Sequence, residues 1–104
     1  MVNPLAGEVT VCVDGVPHRC KLTLGALAEM EATMGAENLV ELVERFEIGK
    51  FSSRDVMALV VAGLRGGGWE GSSASLLRAD IEGGAVGAAQ AAATLLVRAF
   101  SPPS

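Results

Sequence analysis

The sequence predicts an α+β fold, in which an N-terminal β-hairpin is followed by a bundle of four to five mostly short α-helices. Two observations carry this prediction. Alternating apolar and polar residues flank Asp14-Gly15, a dipeptide that favours a two-residue hairpin turn. After Thr23 the apolar residues recur at helical spacing, and glycine or serine residues separate the helical segments. The 104 residues suit a single domain, 1–104, with a hairpin at 7–23, a helical part at 24–100, and flexible tails at 1–6 and 101–104.

Charge and hydropathy exclude two classes of partner. The net charge is −4, the pI is near 4.8, and no basic run is present, so we expect no binding to nucleic acid. No apolar run reaches the roughly 18 residues of a membrane-spanning helix, and the N-terminus lacks the pattern of a signal peptide. We therefore expect a cytoplasmic protein that does not enter a membrane.

The two alternating runs define the register of the hairpin. With Asp14 and Gly15 as the loop, Val13 lies opposite Val16, and Glu8 lies opposite Lys21. An isolated hairpin is marginally stable in water, so its apolar face must lie on helices or extend a sheet in another copy. That predicted face contains Val9, Val11, Val13, Val16, His18, Cys20 and Leu22.

The same register places the two cysteines on opposite faces of the hairpin. A disulfide between Cys12 and Cys20 is then geometrically excluded, and two free thiols are predicted. His18 is the single histidine and no CxxC motif is present, so neither a metal site nor a cofactor is predicted.

Capping signals predict the first two helices. The first covers about 24–34, with Thr23 as its N-cap and Gly35 after its last residue. Asn38, three residues before Glu41, resembles a capping box that opens the second helix, and Gly49 closes it. The predicted inner stripe of the second helix is Leu39, Leu42, Val43 and Phe46.

The third helix is predicted at about 53–65. Ser52-Ser53 opens it, residues 56–64 are apolar all round, and the glycines at 66–68 follow it. A short fourth helix at about 73–81 is predicted to direct Leu76, Leu77 and Ile81 inward.

The last helix is predicted at about 85–100 and has one narrow polar stripe. Gln90, Thr94 and Arg98 form this stripe, and the other side chains are apolar, so we expect burial on most sides. Two such apolar helices are difficult to bury completely in one small domain. We therefore expect either self-association, giving a homo-oligomer, or an apolar groove that involves the third and last helices.

No catalytic constellation emerges from the sequence. A GxSxG nucleophile motif is absent, and the glycines at 66–68 lack the lysine of a phosphate-binding loop. We expect a protein that is not an enzyme.

The charge distribution gives the candidate partner-binding residues. Six of the twelve acids lie within 29–47, against one base, Arg45. This run is either a solvated helix face or a docking surface for a basic or amphipathic partner. Trp69 in a glycine-rich loop either tucks under the edge of the domain or anchors a partner. The candidate partner-binding residues are Glu37, Glu41, Glu44, Glu47, Trp69, Val56, Val60 and Leu64.

Three segments carry a family resemblance. The opening NPLAGEV, the helix LTLGALAEMEATMG and the helix end ALVVAGLRGGG resemble the small proteins encoded in gene transfer agent and related tailed-phage tail clusters. The resemblance covers residues 3–100. That family is classed with tail assembly chaperones and sometimes carries a "tail tube" label.

The resemblance implies a helper that acts in the host cytoplasm during particle assembly. Such a chaperone binds the tape measure protein, keeps it soluble, and recruits the tail tube protein around it. Two alternatives stay open, a minor structural component of the tail and a small non-catalytic protein-binding module. The tail tube label implies rings built from β-sandwiches with long sheets, whereas this chain offers one clear hairpin.

Overall fold

The computed structural model describes residues 8–34 and 36–100 and has the predicted α+β architecture. The predicted tails and Gly35, the predicted end of the first helix, lie outside the described residues. In chain order the elements are β1 (Glu8–Val13), β2 (Val16–Lys21), α1 (Leu24–Met34), α2 (Ala36–Glu47), α3 (Ser53–Gly66), α4 (Ser73–Leu77) and α5 (Gly84–Phe100).

The hairpin has the predicted register. Val13 pairs with Val16, Val11 pairs with His18, and the antiparallel ladder continues to Glu8 and Lys21. Asp14 and Gly15 both have positive φ, 52° and 80°, as a type I′ turn requires. The local turn chemistry therefore sets the pairing of the two strands.

One face of the hairpin supplies part of the core. Val11, Val13, Cys20 and Leu22 are buried there, with β2 packed mainly on α3 and β1 on α5. Val16 departs from the prediction because it flanks the turn at the end of the hairpin, and it is 53% exposed. Both cysteines are free, as predicted, with Cys20 fully buried and Cys12 half-buried on the other face.

A short segment at 80–82 covers the outer edge of β1. The Asp14 amide donates to the Asp80 carbonyl at 2.7 Å, and the Glu82 amide donates to the Cys12 carbonyl at 3.0 Å. Because these backbone groups pair with β1, α4 ends at Leu77 instead of at the predicted residue 81. The inward position predicted for Leu77 is therefore wrong, and its side chain is 71% exposed.

The central helix is α3, which packs against β2, α5, α1 and α4. All residues at 59–64 are buried, as expected for a segment that is apolar all round. Gly63 allows a close approach of α5, since a Cβ there would lie 2.7 Å from Leu95 Cδ1. The backbone at Gly66 and Gly67 lies directly against carbonyl groups of β2.

The bounds of α2 differ from the prediction at one end. The helix begins at Ala36, so Asn38 lies inside the first turn and does not serve as the N-cap. At the other end Gly49 has φ of 75°, and the Lys50 amide donates to the Arg45 carbonyl at 2.8 Å. This Schellman-type arrangement ends the helix where the glycine predicts.

One face of α5 packs on the core through Ala88, Ala92, Leu95 and Leu96. The predicted burial on most sides is wrong, because Val86 and Val97 are 68% and 66% exposed. None of the described helices combines the length and the apolarity needed to cross a lipid bilayer.

Candidate protein-binding surface

An apolar groove of about 300 Å³ opens between the N-terminal halves of α3 and α5 and the short helix α4. This is the kind of groove that the two apolar helices predict. Its lining residues are Phe51, Ser52, Ser53, Val56, Met57, Val60, Leu76, Ile81, Ala85, Ala88 and Ala89.

The groove exists because α5 presents small side chains to α3. Ala85, Ala88 and Ala89 are too small to fill the space between the two helices. Val56 is half-buried and lines the groove, whereas Val60 is fully buried and presents little surface to a partner. An apolar side chain from another molecule is the chemistry that such a lining accepts.

A capping box fixes the start of α3 at one end of the groove. The Ser52 hydroxyl accepts a hydrogen bond from the Asp55 amide at 3.1 Å, and the Asp55 carboxylate accepts one from the Ser52 amide at 2.9 Å. This reciprocal arrangement satisfies two backbone donors of the helix N-terminus. Ser52 was predicted to open the helix, whereas Asp55 was not predicted to take part in the cap, although the Ser-x-x-Asp spacing carries the signal.

The same carboxylate clamps α2 to α3. Arg45 of α2 donates from Nε to Asp55 Oδ2 and from Nη2 to Asp55 Oδ1, both at 3.0 Å. Asp55 is buried and the Arg45 side chain is partly covered. Burial opposes ionisation of Asp55, but the hydrogen bonds from Arg45 and Ser52 outweigh it and lower the pKa of this carboxyl.

Two stacked rings add a second connection between α2 and the loop that precedes α3. The centroids of Phe46 and Phe51 are 4.4 Å apart and their planes differ by 4°. Phe51 lines the groove, so this stack and the ion pair together hold one wall of the groove in place.

The acidic residues predicted to bind a partner lie on the outer side of α2. Glu41, Glu44 and Glu47 are exposed, whereas the side chain of Glu37 lies outside the described residues. Arg45 is committed to Asp55 and also lies 3.7 Å from Glu41. The exposed side of α2 is therefore strongly acidic.

A second, smaller groove of about 170 Å³ lies between α2 and the C-terminal half of α5. Its lining is apolar except for one carboxylate. The lining residues are Val43, Phe46, Glu47, Ala93, Leu96 and Val97.

The remaining predicted residues lie away from these grooves. Trp69 is half-buried and its ring packs over Gly71, in agreement with a tryptophan tucked at the edge of the domain. It also lines a polar cleft of about 530 Å³ together with Glu29, Arg65 and other residues. Leu64 is fully buried in the core, so its predicted role as a surface contact is corrected.

The thiols are poorly placed for chemistry. Burial raises the pKa of Cys20 to about 11. The pKa of Cys12 is also raised, mainly by a hydrogen bond with the Glu82 carboxylate. Both cysteines are therefore protonated, and weakly nucleophilic, at neutral pH. Within 8–34 and 36–100, no three His, Cys, Asp or Glu side chains converge to hold a metal ion.

Comparison with known proteins identifies one family. The family model described as "Phage tail tube protein, GTA-gp10" matches residues 6–102, which include the hairpin and all five described helices. Neither the curated proteins nor the solved structures contain a match to this chain.

Proposed function

The chain belongs to the phage tail tube protein family GTA-gp10, and on this basis we propose that it is a structural component of the tail of a gene transfer agent or tailed phage. The observation that carries the proposal is the family match over residues 6–102. The protein acts by binding other tail proteins and performs no catalysis.

The apolar groove between α3 and α5 supports a role in protein binding. Its lining side chains are apolar apart from Ser52 and Ser53 at one end, and Val86 and Val97 leave further apolar surface on α5. Apolar surface that a small domain leaves uncovered is typical of sites where proteins meet. On this proposal the groove binds other tail proteins in the host cytoplasm, where the tail is assembled.

Quantitative mass spectrometry of purified particles tests the proposal. A structural component is expected in a fixed ratio to the other tail proteins in every preparation, and to remain after washing at high salt. Particles with complete tails that lack the protein would contradict the proposal.

A second candidate function is that of a tail assembly chaperone. The observation that favours it is the small sheet, which has two strands within the described residues, with the outer edge of β1 already paired to 80–82. Such a sheet supplies little edge for continuing a tube wall. The chaperone would bind the tape measure protein and assist assembly of the tail tube protein around it.

The two functions give different results in co-expression and in the protein content of finished particles. A chaperone is expected to raise the amount of soluble tape measure protein on co-expression, and to be absent from finished particles. Heads without tails after deletion are expected for both functions, so particle content is the result that separates them.

A further inference from the structure

The two apolar grooves lie along the same helix. Ala85, Ala88 and Ala89 line the first groove, whereas Ala93, Leu96 and Val97 line the second. In an α-helix, positions three and four residues apart share a face. The alanines at 85, 89 and 93 therefore follow one side of α5 from the first groove to the second.

The opposite walls of the grooves meet at the stacked phenylalanines. Phe51 lines the first groove and Phe46 lines the second, and their rings are in contact at a centroid distance of 4.4 Å. The two grooves therefore follow one another along α5, opposite α2 and the start of α3, with the two stacked rings between them. We call this surface the α5 trough.

The dimensions of the α5 trough suit an α-helix. At about 1.5 Å per residue, the stretch of α5 from Ala85 to Val97 is about 18 Å long, or somewhat more than three helical turns. Alanine side chains along this wall allow the backbone of a second helix to approach closely. A helix that lies lengthwise in the trough would cover its apolar lining with one face.

The charges beside the α5 trough are negative on the α2 side. Glu47 is the one charged residue among the described side chains that line either groove. Glu44 lies three residues earlier on the same helix and is exposed. Arg45 does not offset them, because its guanidinium is engaged by Asp55 in a two-point ion pair. A partner that carries lysine or arginine beside its apolar face complements this rim.

We propose that the α5 trough binds a basic amphipathic α-helix of another tail protein. The apolar face of that helix packs on the alanines of α5 and on the two phenylalanines, and its flanking cations face Glu44 and Glu47. This inference rests on the proposed function for the source of the helix, and it names the chemistry of the partner. Helix α2 of a second copy of this chain is a disfavoured occupant of the α5 trough, because the acidic faces of the two α2 helices would repel each other.

A labelled synthetic peptide tests the proposal with the full chain. The probe is an amphipathic peptide of about 16 residues with leucine on one face and lysine on both flanks. Its fluorescence anisotropy is expected to rise on addition of the protein, with an affinity that falls as salt is raised. A peptide with glutamate in place of every lysine is expected to bind at least about tenfold more weakly. Equal binding of the two peptides would overturn the proposal.

A matched pair of double variants locates the charge effect. Glu44→Lys with Glu47→Lys is expected to weaken binding of the lysine peptide about tenfold at low salt. Glu31→Lys with Glu70→Lys makes the same change in net charge at exposed positions outside the α5 trough, and an effect below about twofold is expected. Equal losses in the two double variants would show a general charge effect and would contradict the proposal.

A second matched pair tests the apolar wall. Ala89→Phe fills the α5 trough and is expected to abolish binding of the lysine peptide, whereas Ala32→Phe on the exposed side of α1 is expected to preserve it. Circular dichroism checks that both variants are folded. If light scattering shows a dimer that Ala89→Phe dissociates, and no peptide binds, the occupant is a second copy and the proposal fails. The amount of this protein in purified particles is measured separately and tests the proposed function independently of the peptide-binding results.

Discussion

Helices α3 and α2 have similar lengths but are held in the fold by different means. At 59–64, α3 is buried on every side, between the hairpin, α1 and α5. By contrast, α2 buries Leu42 and leaves Val40 and three glutamates exposed. It packs on α1, and the Arg45–Asp55 ion pair and the Phe46–Phe51 stack connect it to α3 and to the loop before α3. Apolar burial therefore stabilises the centre of the molecule, while a few specific contacts hold the wall that carries the acidic surface.

The largest effect is expected from truncation in α3. Leu59 is fully buried, and Leu59→Ala is expected to lower the free energy of unfolding by about 2–5 kcal/mol because it leaves a cavity. Urea denaturation followed by circular dichroism measures this change. Val40→Ala on the exposed side of α2 is the control, with an expected change below about 0.5 kcal/mol. Similar losses in the two variants would contradict the contrast between the helices.

A smaller effect is expected from breaking the ion pair. Asp55→Asn removes the carboxylate that pairs with Arg45, and a loss of about 1–3 kcal/mol is expected, because Arg45 is partly exposed and regains some hydration. Glu41→Gln affects the same arginine at the longer distance of 3.7 Å, with an expected loss below about 0.5 kcal/mol. Urea denaturation of the two variants compares them. If Asp55→Asn costs no more than Glu41→Gln, the clamp does not contribute to stability.

The ion pair also predicts a dependence on pH. The folded state lowers the pKa of Asp55, so its stabilising contribution is fully present above the unfolded pKa of about 3.9. That contribution is lost as the pH falls through the lower folded pKa. The difference in unfolding free energy between the wild type and Asp55→Asn is therefore expected to be constant near neutral pH and to shrink in acid. A difference that stays constant down to the acid unfolding transition would count against this assignment.

The smallest difference concerns the two thiols of the hairpin. Cys12 is half-buried and Cys20 is fully buried, so Cys12 is expected to react first with a thiol reagent in the native protein. Both reactions are expected to be slow at neutral pH and to quicken in alkali, because the pKa of each thiol is raised. Mass spectrometry of a Cys12→Ser variant assigns the sites. Equal rates for the two thiols would indicate that the hairpin face opens readily.

Short sequence motifs predicted those parts of the fold that are determined by residues adjacent in the chain. Asp14-Gly15 and the alternation around it determine the hairpin register, and Ser52 marks the start of α3. The early end of α4 was not predictable in this way, since the Asp80 amide pairs with Asp14 across 66 residues. Periodicity showed that α5 is mostly apolar, but it did not show which apolar face remains exposed.

Only part of the candidate site was predicted from the sequence, because the rest depends on contacts between residues that are distant in the chain. The acidic α2 surface and an apolar groove between the third and last helices follow from composition and pattern. The Arg45–Asp55 ion pair and the meeting of the two groove walls at Phe46 and Phe51 depend on how α2 docks. Docking is a tertiary property that local pattern does not encode.

Complementation of a gene deletion tests most directly whether the α5 trough is required for tail assembly. The deletion strain receives the wild-type gene, the Ala89→Phe gene or the Ala32→Phe gene, and tailed particles are counted by electron microscopy. Immunoblotting establishes equal levels of the three soluble proteins. We expect Ala32→Phe to restore tails as the wild type does, and Ala89→Phe to leave heads without tails. Normal numbers of tailed particles with Ala89→Phe would contradict the account.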